Sequence, residues 1–376
     1  MSYNWRKNYR IIYLKTGKPE GGNMKKIIAM FLALTMVLCL AACGQKESEG
    51  EQTNKYADYK IAMVSNTVGT DQFILQAKNQ LDAMAKEYGF TESIIECINT
   101  DDWEQKTRTA CEQGYNLIVG VGWNAAAPFS TLQEEFPDVR FGVIDTIAAN
   151  EKIMSMNFNT TDGCYVMGAM IATAFPDDTV FGYIGNFQQQ SNFEYKYGFM
   201  EGVKSVKPDA KFVSAYADTY GDTSATYNKA VEVAAALGAN GHFIMGSVAN
   251  SANAGIYQYA LDRIADGAEP IYTSGLSVDQ TTPDNPYIIS GLTKNTAIPM
   301  KMIVDDFLED GKVTGGATTL GVVQDAFCVV GVNFDANYRN TEIMTDEVLA
   351  AGHKAADDLK SGKVVLPYVM EDDYKE

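Results

Sequence analysis

Residues 60–90 read KIAMVSNTVGTDQFILQAKNQLDAMAKEYGF, and this stretch decides the fold class. The apolar run from Ile61 to Val64 has the length of one buried strand and stops at the polar Ser65 and Asn66. From Phe73 to Tyr88 apolar side chains recur at helical spacing, and Gly89 closes the helix. A continuous apolar strand followed by an amphipathic helix is the repeating unit of a parallel sheet. Such strands are buried on both faces and show no polar alternation, and parallel neighbours need a helical crossover between them.

The unit recurs along the chain. Strands are predicted at Ser93 to Ile98, Leu117 to Val121 and Phe141 to Ile144, with helices at Trp103 to Gln113 and Pro128 to Phe136. A second series runs through a helix Asp162 to Ala174, a strand Val180 to Ile184, a helix Glu194 to Val206 and a strand Lys211 to Ala215. It continues with a helix Tyr227 to Leu237, a strand His242 to Met245, a helix Ala254 to Ala265 and a short strand Ile271 to Tyr272. The tail adds a strand Tyr287 to Gly291, a helix Thr296 to Leu308, apolar runs at Leu320 to Val323 and Phe327 to Val332, and a helix Thr345 to Lys360. These patterns predict an α/β protein of two doubly wound parallel-sheet lobes. Strands left over after two lobes imply a hinge that the chain crosses several times. The first lobe is expected from 58–156 plus about 290–320, the second from 157–289 plus about 321–376.

Ahead of the folded part, Met24 is followed by Lys25 and Lys26, an apolar run from Ile27 to Leu40, and Leu40-Ala41-Ala42-Cys43. A basic front, an apolar middle and small residues before a cysteine read as an export signal over 24–42 with Cys43 as the lipidated first residue. Several acyl chains hold a protein on a membrane where one does not. Residues 1–23, with Arg6, Lys7, Arg10, Lys15 and Lys18 opposed by Glu20, read as a start-site extension. Residues 43–57 are polar and acidic, as a flexible tether would be, and the folded body is expected from about Tyr59.

Of 30 basic and 48 acidic side chains, seven and one precede Cys43, so 23 and 47 remain and the rest of the chain carries −24. Nucleic acid and anionic headgroups are poor partners for such a surface. Histidine occurs twice, at His242 and His353, which leaves no raw material for histidine-based zinc sites or Ser-His-Asp triads. Cys97, Cys111, Cys164 and Cys328 have no metal-like spacing and read as small buried side chains. No metal and no cofactor is expected, and a monomer is.

Ligands of open parallel sheets bind beyond the carboxyl ends of the strands, and two facing lobes bring two sets of ends together. The residues there are Ser65 to Asp71, Gly120 to Asn124, Asp145-Thr146, Gly185-Asn186-Phe187, Gly246-Ser247 and Ser277 to Gln280. Singly each is an ordinary loop or cap; together they outline a cleft. Asp145 stands out, because a carboxylate directly ends the apolar run Phe141 to Ile144.

The segments KIAMVSNTVGTDQF, FGVIDTIAANEKIMSMNFNTTDGCYVMGAMIA, VFGYIGNFQQQSNFEYKYGFMEGVKSVKPDAKF, LGANGHFIMGSVANSANAGI and VDQTTPDNPYIISGLTKN resemble the basic membrane protein family. These are solute-binding lipoproteins of the type I periplasmic binding protein fold and include purine nucleoside receptors. The resemblance implies a purine nucleoside held between the lobes and delivered to an ABC permease, without catalysis. It implies contacts from Asn66, Asp71, Phe73 and Asp145 in the first lobe, and from Tyr195, Gly246, Ser277 and Asp279 in the second, with Lys294 facing the sugar. Phe73 and Tyr195 would be the stacking rings; Phe73 could equally open the core of its helix, and Phe193 or Phe187 could replace Tyr195. The chain departs from the family at Asp71-Gln72-Phe73-Ile74, where two acids and a Ser-Phe-Asn are usual, at Gly185-Asn186, usually two glycines, and at Ser277, usually an acid. Two other functions fit the same residues: a nucleoside- or sugar-processing hydrolase using Asp71 and Asp145 as its carboxylates, and a sensor lipoprotein serving a signalling partner.

Overall fold

The strand expected at Ile61 to Val64 is β1 (Lys60–Asn66), and its five central residues are buried. The computed structural model describes residues 54–69, 71–248 and 250–370. Residues 1–23, the export signal and Cys43 lie outside the described residues, as does the expected tether up to residue 53. The tether was expected to reach residue 57, but the folded body begins earlier. Asn54 Nδ2 donates to the Gly89 carbonyl (3.1 Å), and the Tyr56 ring packs at 5.8 Å, edge-on, against Tyr88.

Around β1 stand α1 (Gln72–Tyr88), β2 (Thr91–Cys97), α2 (Thr100–Glu112), β3 (Leu117–Val121), α3 (Ala126–Glu135), β4 (Arg140–Ile144) and β5 (Met154–Phe158). The Asp71 carboxylate caps the start of α1 by accepting from the Phe73 N–H, and Gly89 ends it at φ +76°. The second series is α4 (Thr160–Ala174), β6 (Val180–Gly185), α5 (Gln190–Val206), β7 (Lys211–Tyr216), α6 (Thr223–Leu237), β8 (Phe243–Ser247), α7 (Ala254–Ala265), β9 (Tyr272–Ser277) and β10 (Ile288–Lys294). Last come α8 (Ala297–Asp310), β11 (Gly316–Leu320), β12 (Phe327–Val329) and α9 (Asp346–Lys360).

The strands form two six-stranded sheets, ordered β2-β1-β3-β4-β5-β11 and β7-β6-β8-β9-β10-β12. The first is parallel throughout; the second is parallel except for β12, which runs antiparallel to β10. The same winding order thus occurs twice. The crossing back expected near residue 290 falls after Lys294, because β10 belongs to the second sheet, and β5 carries the first lobe to Phe158.

Two strands differ from the sequence reading. β5, MSMNF, was not anticipated; its burial comes from Met154, Met156 and Phe158, alternating with smaller side chains. The strand at the apolar run Leu320 to Val323 lies earlier, in the largely exposed edge strand GATTL that ends at Leu320, while Val322–Gln324 is a 3-10 turn between the lobes. The crossing buries two members of that run, Leu320 at 1% and Val322 at 0% exposed, and leaves Val323 exposed.

Two helices cross over to cover the other lobe's sheet. α8 follows β10 of the second sheet but packs on the first, with Ile303 filling the space over Gly142 of β4. α4 follows β5 of the first sheet and packs against α5 through paired glycines. A Cβ on Gly202 would lie 2.1 Å from the Tyr165 carbonyl, and one on Gly168 would lie 2.3 Å from the Phe199 carbonyl. Backbone cannot yield as a flexible side chain can. Gly202→Ala or Gly168→Ala is therefore expected to destabilise the fold by about 1–3 kcal/mol despite alanine's better helix propensity. Gly221→Ala, with open space around it, should leave the urea midpoint unchanged; equal midpoints for all three variants would contradict this packing.

Candidate functional site

Parallel register sets the carboxyl ends of each sheet side by side. In the first lobe Ser65 pairs with Val121 and Val121 with Ile144, so Asn66, Gly122 and Asp145 leave their strands at one level. In the second lobe Ser277 pairs with Thr293, next to Lys294. Asp145 and Ser277 follow or end the fourth strand of their respective sheets, and both are non-glycine residues in the left-handed region, at φ +66° and +70°. Such conformations cost roughly 1–3 kcal/mol and persist where surrounding structure enforces them.

An ion pair joins the two lobes. Lys294 Nζ lies 2.7 Å from Asp145 Oδ1, with the side chains 18% and 23% exposed. Burial works against the charge on Lys294, but the facing Asp145 carboxylate and the nearby Tyr195 hold its ammonium above the ordinary lysine value. The same ammonium sits 5.5 Å from the centre of the Phe158 ring. Tyr195, on α5, stands edge-on to Phe327 at 6.2 Å. Burial pushes its phenol up to about 12 against the opposing pull of Lys294, so it remains a protonated hydrogen-bond donor. Phe73 reaches the same region through its backbone, where the Thr296 hydroxyl donates to its carbonyl at 2.5 Å.

Asp145, Tyr195 and Lys294 are thus brought together, with Ser277 on the neighbouring strand and Phe73 joined through Thr296. Other candidates are engaged elsewhere. The Asp71 carboxylate caps α1. Asp279 accepts from the Thr281 amide and hydroxyl (2.9 and 2.8 Å) and from the Asn337 amide (2.5 Å), anchoring the segment before α9. A side chain on Gly246 would meet Asn253 and Ile256, so the glycine is required for seating α7. Asn66 ends β1 exposed. Among the described residues no cluster of histidine, cysteine or carboxylate side chains could hold a metal. Cys97, Cys111, Cys164 and Cys328 are buried and unpaired, and burial raises the thiols of Cys97 and Cys111 to about 11.

The hinge residues were missed by sequence reasoning. At the first two crossings the chain spells Asn-Thr: Asn159-Thr160 after β5 and Asn295-Thr296 after β10. The Asn159 amide donates to the Leu320 carbonyl and the Asn295 amide to the Ala326 carbonyl, both at 2.8 Å, so both crossings are bound to the third. The signal was the repeated dipeptide directly after two strand ends.

The family model described as PnrA-like ABC transporter substrate-binding protein matches residues 61–359. The chain is 24% identical over 362 residues to the ABC transporter nucleoside-binding protein BmpA of Lactococcus lactis subsp. cremoris, covering 91% of this chain and 99% of that one. A crystal structure of an ABC transporter solute-binding protein from Aeropyrum pernix superposes with a TM-score of 0.63 at 16% identity, covering 84% of this chain and 95% of the other. An ABC solute-binding protein from Conexibacter woesei gives 0.64 at 16% identity, covering 82% and 99%.

Lys294→Met removes the cation but keeps an apolar stem beside Phe158, leaving a half-buried carboxylate unpaired. It is expected to lower unfolding stability by about 1–3 kcal/mol, with Asp145→Asn in the same chain restoring part of the loss. Because the lysine value is raised on folding, the pair's contribution is complete below the unfolded lysine value of 10.5 and fades only above it. The difference between wild type and Lys294→Met in urea unfolding should therefore stay constant from about pH 6 to 9. A difference that falls across that window would mean the ion pair is not what holds the lobes there.

Proposed function

This chain belongs to the PnrA-like family of ABC transporter substrate-binding proteins, and we propose that it captures a purine nucleoside between its lobes, holds it unchanged and presents it to the permease. The observation that carries this reading is the Asp145–Lys294 pair across the strand ends, with the Tyr195 phenol beside it. A carboxylate can accept two hydrogen bonds from a vicinal diol or an N–H edge, and a neighbouring ammonium can donate to a sugar oxygen. A ligand lacking those groups would bury the remaining hydrogen-bonding capacity of the pair unmet at a cost of about 1–3 kcal/mol, which is the source of selectivity. The Lactococcus relative, named for nucleoside binding, supports the ligand class.

The three bound crossings fit a hinge, about which the lobes close on the ligand. The hydrolase alternative is disfavoured by the engagement of its two carboxylates: Asp71 caps a helix and Asp145 is paired with Lys294. The signal pattern and Cys43 support a location on the outer face of the cell membrane, held by acyl chains.

Purified protein should gain thermal stability with inosine, guanosine or adenosine, by about 2.7 kcal/mol at a hundredfold excess over the dissociation constant. The nucleoside should be recovered intact by chromatography. Free base in the eluate would establish an enzyme, and stabilisation by sugars or amino acids alone would assign another ligand. Cys43→Ser should abolish lipid labelling and release the protein from membranes; a variant that stays membrane-bound would exclude the acyl anchor.

A further inference from the structure

A nucleoside needs a broad aromatic face for its base, and the rings expected to provide one are committed elsewhere. Phe73 is half-buried against the core, and Tyr195 stands edge-on to Phe327. Trp123 is different: the residue is 72% exposed, unusual for the largest apolar side chain. It lies two residues beyond β3, the central strand between β1 and β4. The Gly122 amide donates to the Ile144 carbonyl at 2.9 Å, so Trp123 and Asp145 are the next residues of two hydrogen-bonded strand ends. Adjacent strands lie about 4.8 Å apart, so Gly122 leaves its strand between Asp145 on one side and Asn66 on the other, and Trp123 is the next residue. Gly122, at φ +109°, makes the turn that lifts the chain off the sheet.

We propose that Trp123 is the first-lobe ring that stacks on the purine base, a specificity residue at the site whose nucleoside reading it rests on. The indole would receive the flat heterocycle while Asp145, one strand away, takes the hydroxyls or an N–H edge. Stacking is indifferent to which base presents its π face, so Trp123 would select flat heterocyclic ligands over simple sugars, while the polar groups choose among nucleosides.

The test uses the full-length chain with inosine as probe. Tryptophan occurs at positions 5, 103 and 123, and Trp103 is fully buried, so the difference in emission between wild type and Trp123→Phe isolates Trp123. Saturating inosine should quench that emission and reduce its accessibility to acrylamide. Trp123→Ala should weaken binding about tenfold or more and Trp123→Phe much less, both keeping the ligand-free thermal midpoint. If inosine raises the midpoint while Trp123 emission, its acrylamide accessibility and the affinity of Trp123→Ala are unchanged, the stacking assignment is overturned and the nucleoside reading stands. If no purine nucleoside raises the wild-type midpoint, both fall together.

Discussion

Two amide-to-carbonyl hydrogen bonds, Asn159 to Leu320 and Asn295 to Ala326, hold three passages of one chain against each other where the lobes meet. The passages are short, since α4 starts at Thr160 and α8 at Ala297, two or three residues beyond their strands. Each passage leads directly into a helix that covers the other lobe's sheet. The exchange explains why Gly142 faces Ile303 and why α4 needs glycines against α5. It also places any relative movement of the lobes in a few backbone dihedrals beside the strand ends, where a ligand would lie.

The winding of both lobes was legible because parallel strands buried on two faces leave unbroken apolar runs, and because some helices end on a glycine, as at Gly89. The failures share a cause: an apolar run reports burial and not conformation. Leu320 and Val322 are buried at the crossing, Leu320 as the last residue of the otherwise exposed edge strand GATTL, where β pairing needs no apolar alternation. The start of the body was misplaced because Tyr56 sits in a polar stretch, and its packing on Tyr59 and Tyr88 depends on a helix more than fifteen residues away in sequence.

At the site, Asp145 was legible because a charge directly ending a buried strand needs a partner, although nothing local identified that partner as a lysine 149 residues later. Asp71 and Asp279 were read from the same kind of position, but their carboxylates serve the backbone: one caps α1, the other ties Thr281 to Asn337. A carboxylate at a strand end can cap, brace or bind, and spacing alone does not distinguish these uses. Trp123 was visible only as one member of a polar turn, because sequence shows a tryptophan's size and hides its exposure.

The left-handed backbone at Asp145 links strain to the pairing of the lobes. Glycine would adopt φ +66° without the Cβ penalty, so a carboxylate residue is kept there at a conformational cost of roughly 1–3 kcal/mol. Two bonds offset it: the Asp145 amide donates to the Met156 carbonyl at 2.8 Å, fixing the turn against β5, and its carboxylate meets Lys294 from the other sheet. The first bond lies within one lobe and survives any opening of the cleft. The second spans the lobes, so separating them without a ligand leaves a strained, half-buried carboxylate with only water to replace the lysine. Hydroxyl or N–H donors from a ligand would compensate the same carboxylate in a drier setting, and the energy of closure would then depend on what fills the cleft.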